Sequence, residues 1–161
     1  MIRLLLALAL LLAACEPPMD VEPLPCRNVL PGTAELGIGN LATGFQPRDD
    51  DAEVYVEFGP QGMHMLIVSV RALDLEKPSV GGGGNRLRIG IRHDGYVVGG
   101  TVSEVQPQVI DERTSDFLGL RPIFTVAEID ELVGEDIYVE AIVTDGCGRE
   151  IKTGQTWSLL Q

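Results

Sequence analysis

The chain predicts an all-β domain: an antiparallel β-sandwich of seven to eight strands with one short helix, over residues 26–161. Three observations carry this. Short segments rich in Val, Ile and Thr alternate apolar with polar residues. Glycine- and aspartate-rich turns separate them. Hydrophobic residues make up 45% of the chain but aromatic residues only 5%, so the core must be mostly Val, Ile and Leu, the types that suit a half-buried pleated surface. No internal repeat and no second domain is visible.

In chain order, Thr33–Gly39 reads as a weak strand and Asn40–Asp51 as a polar loop. Ala52–Phe58 alternates, with Val54, Val56 and Phe58 on one side and Glu53, Tyr55 and Glu57 on the other. Gly59-Pro60-Gln61-Gly62 is a turn. Met63–Leu73 is apolar on both faces, as in a central strand. Asp74–Asn85 is a loop containing Gly81–Gly84; glycine loses the most freedom on ordering, so this loop is expected to be mobile. Arg86–Arg92 puts Leu87, Ile89 and Ile91 inward and Arg86, Arg88, Gly90 and Arg92 outward. His93-Asp94-Gly95 is a hairpin turn, and Tyr96–Val105 pairs back. Residues 106–119 read as irregular and Leu120–Thr125 as a short strand. Thr125-Val126-Ala127-Glu128 matches a capping box and predicts a helix of about two turns, closed by Gly134. Ile137–Asp145 is the strongest strand, and Glu150–Leu160 returns from a turn at Gly146–Arg149.

The N-terminus has a different character. Arg3 precedes an unbroken leucine and alanine run, Leu4–Ala14. As a helix this run reaches about 16 Å, half a bilayer core, and it has the parts of a secretory signal. Leu12-Ala13-Ala14-Cys15 resembles the lipobox of bacterial lipoproteins. That resemblance implies a signal peptide at residues 1–14, cleavage before Cys15 and lipid attachment to Cys15. Residue 16 is Glu rather than Asp, which in the same family implies an outer-membrane destination in Gram-negative cells. Residues 15–25 then form the anchor and a stalk: Pro17, Pro18, Pro23 and Pro25 forbid a helix and favour polyproline II, roughly 30 Å long at about 3.1 Å per residue. With Cys15 assigned to lipid, Cys26 and Cys147 remain. In an exported, oxidising compartment they read most simply as a disulfide, with two free thiols or intermolecular pairing as the alternatives.

The strand pattern is similar to that of immunoglobulin-like and fibronectin-like domains. In such a sandwich the first strand starts at the end where the last two strands turn, which would bring Cys26 near Cys147. One feature departs from the pattern. Gly59–Gly62 is a tight turn, which favours a hairpin, between two strands that the immunoglobulin topology places in opposite sheets. The resemblance implies an architecture and no activity.

The formal net charge is −12. Such a domain is not expected to bind nucleic acid or an anionic membrane surface by general electrostatics; contact with a bilayer would come through the lipid on Cys15. No nucleophile elbow, Ser-x-x-Lys, His-Glu-x-x-His or phosphate loop is present, so no catalytic residue and no cofactor is assigned. His64 and His93 are the only candidate bases for a hydrolase assembled from scattered residues. Met63-His64-Met65 carries soft copper ligands, but strand alternation sends His64 away from the two methionines. Asp49–Asp51 form an acidic knot of the kind that holds calcium in adhesion modules, without the spacing of an EF-hand loop; a solvated loop is the other reading. Arg86, Arg88 and Arg92 form a basic stripe that either grips a carboxylate or phosphate of an envelope polymer or pairs across strands with Glu140 or Glu104. Trp157 either stacks on a sugar or fills the core, the core being the commoner place for it in a last strand. The sequence therefore predicts a non-catalytic envelope lipoprotein that binds an envelope protein or glycan.

Overall fold

The computed structural model describes residues 31–59, 61–76, 85–126 and 129–161. The signal segment, Cys15, the stalk, Cys26, Gly81–Gly84 and Glu128 lie outside the described residues.

Among the described residues the chain is all-β, with thirteen strands in two sheets. They are β1 (Thr33–Asn40), β2 (Gly44–Pro47), β3 (Ala52–Tyr55), β4 (Glu57–Phe58), β5 (His64–Met65), β6 (Val68–Leu73) and β7 (Arg86–His93). Then follow β8 (Tyr96–Glu104), β9 (Gln108–Val109), β10 (Thr114–Leu120), β11 (Ile123–Phe124), β12 (Asp136–Thr144) and β13 (Glu150–Leu160). One sheet has the order β2-β1-β6-β10-β9 and forms a half-barrel; the other has the order β3-β13-β12-β7-β8-β11-β5-β4. Their inner faces share one core. Leu36, Val68, Val70 and Phe117 come from the first sheet, and Leu87, Ile89, Ile91, Ile137, Val139, Val143, Trp157 and Leu159 from the second. Trp157 is thus core.

Four features differ from the sequence expectation, each for a physical reason. The strand count exceeds seven to eight because several strands are two to four residues long, too short to show a period. The larger sheet curls until it nearly closes. Its two ends, β3 and β4, are consecutive parts of one extended run: Ala52–Tyr55 pairs with β13, Val56 N–H donates to Leu160 O at 2.9 Å, and Glu57–Phe58 pairs with β5. The β3–β13 pair is parallel, so the domain is not wholly antiparallel. Finally, the expected helix is a single 3-10 turn, Ile129–Glu131, with Ile129 buried and Gly134 at φ +91 ending the segment.

Around Gly59–Gly62 the chain makes a hairpin and only afterwards changes sheet. Gly59 and Met63 are joined by a 2.8 Å backbone bond, and β4 and β5 form the hairpin that a tight turn favours. The chain then leaves the sheet at Leu66-Ile67 and enters the opposite sheet as β6. The expected strand Met63–Leu73 is therefore two strands in two sheets. At Asp94-Gly95 both residues have positive φ, +48 and +81, as a two-residue type I′ hairpin requires.

Ion pairs fasten the half-barrel. Arg71 in β6 holds the buried Asp116 of β10 through two bonds, 2.8 and 2.9 Å, and lies 4.6 Å over the Phe45 ring. Asp74, which follows β6, receives two 2.7 Å bonds from Arg113. The Arg113 guanidinium holds the Asp74 carboxyl below its ordinary value of 3.8. The Arg113 backbone N–H and the Thr114 hydroxyl do the same for Asp111. A carboxyl whose folded pKa is depressed adds stability above the unfolded pKa and loses it as pH falls through the folded value. Thermal melts at falling pH should therefore show stability declining from about pH 4 downward. Asp74→Asn, which tolerates the left-handed φ of +57 at this position, should make that decline shallower; an unchanged acid slope contradicts the assignment.

Candidate functional site

The outer face of the larger sheet carries the basic stripe. Alternation along β7 buries Leu87, Ile89 and Ile91 and leaves Arg86 and Arg88 exposed and Arg92 half-exposed. Cross-strand register sets their neighbours. Arg88 lies opposite Val102 of β8 and Ile142 of β12, and Arg92 opposite Val97 and Tyr138. Gly90 lies between Gly100 and Glu140. A Cβ at Gly100 would meet the Ile89 carbonyl oxygen at 2.6 Å, so glycine lets β7 and β8 run close here. The two facing glycines leave a shallow trough of about 510 Å³ lined by Arg88 and Arg92 of β7, Val97 and Val102 of β8 and Glu140 of β12. Val97 and Val102 are 62% and 53% exposed beside it. At β13, Gly154 has no side chain, and the Tyr138 ring occupies that space.

Charge pairing on this face is incomplete. Arg92 Nη2 reaches Glu140 Oε1 at 3.4 Å and Arg92 Nη1 donates to Gly95 O at 3.4 Å. Arg86 stands opposite Glu104 in register, yet among the described residues neither Arg86 nor Arg88 forms an ion pair. The expected cross-strand pairing therefore accounts for Arg92 alone. Arg88 stays available beside the exposed Val102, and Arg86 next to it shares a smaller recess with Glu150, on an otherwise acidic molecule. Such a face can take a carboxylate or phosphate by charge-assisted hydrogen bonds and an apolar group in the trough.

The other candidates are placed elsewhere. His64 is half-buried, with its ring edge-on to Phe58 at 5.2 Å. It lines a cavity of about 150 Å³ with Val56, Phe58, Ile129, Val133 and Gln161, none of which is a nucleophile or acid. His93 Nδ1 lies 3.1 Å from the Asp136 carbonyl and Nε2 lies 3.6 Å from Asp94 Oδ2. The two histidines are on different strands and share no site. Met65 is buried and Met63 exposed beside His64. Asp49–Asp51 do not converge: Asp50 Oδ1 accepts the Thr156 N–H at 2.9 Å, and the Asp51 N–H donates to Thr156 O at 2.7 Å. These contacts clip the loop to β13. Among the described residues there is no group of three or more His, Cys, Asp or Glu side chains able to hold a metal ion.

Sequence reasoning missed Asp145. Its side chain is fully buried at the end of β12. Oδ1 accepts the N–H groups of Cys147 and Arg149, both at 3.0 Å, and Oδ2 accepts Arg149 Nε at 2.9 Å. This carboxylate shapes the turn that carries Cys147, which is disulfide-bonded; Cys26, its expected partner, is among the residues not described. The residue's type and place, an Asp at a strand end before Gly-Cys-Gly, were the only signal available. No protein-family model and no curated protein matches the chain.

Proposed function

We propose that the protein is a non-catalytic, lipid-anchored lipoprotein of the cell envelope, an immunoglobulin-like domain on a proline-rich stalk that contacts an envelope protein or glycan through the outer face of β7, β8 and β12. The lipobox Leu12-Ala13-Ala14-Cys15 supports the anchor, and Glu16 an outer-membrane site. Strand order supports the finer architecture. The runs β1-β6-β10-β9 and β13-β12-β7-β8 correspond to the A-B-E-D and G-F-C-C′ runs of a variable-type immunoglobulin sandwich. The observation that carries the binding role is the arginine face, where Arg88 lines the glycine-floored trough and neither it nor the neighbouring Arg86 forms an ion pair among the described residues. A tether confines such a face to a thin layer and raises its effective concentration for partners there, so weak individual contacts suffice.

Fatty-acid labelling in cells tests the anchor. Wild-type protein is expected to incorporate labelled palmitate and fractionate with membranes. Cys15→Ser should abolish the label and prevent lipoprotein-type cleavage. Undiminished label in Cys15→Ser contradicts the proposal.

A further inference from the structure

A second concavity lies between the β1–β2 hairpin and the β3–β4 run, with a volume of about 310 Å³. It shares no lining residue with the arginine face. Its apolar wall is Ile38, Val54 and Ile67, and Arg48 lines it from the link between β2 and β3. The link is fixed, because the Arg48 N–H donates to Leu36 O at 3.2 Å. Arg48 is half-exposed, but its Nε is buried and has no hydrogen-bond partner. Withdrawing a charged donor from water without a partner is costly. Arg71, Arg92, Arg113 and Arg149 each hold a carboxylate; Arg48, like Arg86, Arg88 and Arg121, holds none among the described residues, but Arg48 alone of these has a buried nitrogen without a hydrogen-bond partner. Acids outnumber bases 24 to 12 in this chain, so a shortage of carboxylates does not explain Arg48. Glu53 and Glu57 line the same cleft, yet neither forms an ion pair with it.

We propose that this cleft binds a small organic monocarboxylate, its carboxylate on the Arg48 guanidinium and its apolar tail against Ile38, Val54 and Ile67. The volume sits at the lower end of the range for small-molecule sites, about 300–1,000 Å³. The apolar wall selects a hydrocarbon tail over a fully polar ion. Glu53 and Glu57 select the charge: a second negative group on the ligand would face them, and like-charge contact disfavours it. Phosphate and dicarboxylates are thereby disfavoured relative to a single carboxylate.

Calorimetric titration of the full-length protein with hexanoate tests this, with hexylammonium and inorganic phosphate as comparison probes. Hexanoate is expected to bind saturably at one site and more tightly than either comparison probe. Arg48→Met should weaken hexanoate binding at least about tenfold, the loss of a charge-assisted contact. Ile67→Trp, which fills the apolar end and leaves Arg48 in place, should also weaken it at least about tenfold. Melting temperatures of both variants establish that they are folded, and Ile67→Trp and the comparison probes keep the test decisive if Arg48→Met does not fold. Absence of saturable hexanoate binding, unchanged affinity in a folded variant of either kind, or tighter binding of hexylammonium or phosphate overturns the proposal.

Discussion

Replacing Trp157 with alanine is expected to lower folding stability by about 3–5 kcal/mol, the usual cost of deleting a large buried aromatic side chain. Trp157 is fully buried and lies opposite Ile137 of β12 and Ala52 of β3. It sits where the parallel β3–β13 pair draws the larger sheet towards closure, so its removal empties space between several strands. Its Nε1–H donates to Gln155 Oε1 at 3.2 Å, which satisfies the one polar atom that burial would strand. Trp157→Phe keeps a ring and should cost less. Urea denaturation followed by circular dichroism measures both. A Trp157→Ala protein as stable as the parent would show that the indole is not at the centre of the fold.

Asp145→Ala should cost about 3–5 kcal/mol, because it breaks one side of a buried charge pair and strips acceptors from two backbone N–H groups. Arg149 also donates to the carbonyl of Asp74, and the Glu76 N–H reaches Asp145 Oδ2 at 3.4 Å. The carboxylate therefore ties the β12–β13 turn to the segment after β6. Asp145→Asn preserves shape and part of the hydrogen bonding and should cost less than Asp145→Ala. Combining Asp145→Ala with Arg149→Met should cost less than the sum of the single changes, since each removes a partner of the same pair. Additive losses would contradict the coupling.

The sequence was most legible where local pattern and tertiary position agree. Arg86–Arg92 alternates cleanly because one face of β7 meets the core and the other meets water. Asp94-Gly95 marked its hairpin because few residues adopt two successive positive φ values. Glu150–Leu160 was bounded as it stands in β13. Legibility failed where polar residues occupy strand positions. In β10, Asp116 is buried through its pair with Arg71, 45 residues away, so Thr114–Gly119 shows no apolar alternation and reads as irregular, and only Leu120 reads as strand. Residues 44–47 read as loop because β2 is a short, exposed edge strand ending in proline. Residues 52–58 gave a strand correctly, but their pairing to both ends of one sheet depends on partners distant in sequence.

The sites followed the same division. The outward direction of Arg86, Arg88 and Arg92 came from strand period alone. Which of them lacks a partner depends on side-chain geometry across strands, and register alone suggested a pair, Arg86 with Glu104, that does not form. Ser69 shows the limit again: its fully buried hydroxyl donates to Gly39 O and accepts the Gly119 N–H, both at 3.1 Å. A serine between two valines carries no sequence sign of that role. Arg48 and Asp145 were silent for the same reason.

Site-specific photo-cross-linking in intact cells tests the binding role most directly. A photoreactive residue at Val102, on the arginine face, should capture one defined envelope protein or glycan. The same residue at Val109 in β9, a comparably exposed valine at 58%, should not. Capture from Val102 should fall sharply with Arg88→Glu and with Cys15→Ser, because the first reverses the charge and the second removes the tether. No capture from Val102, equal capture from Val109, or capture indifferent to Arg88→Glu would contradict the account.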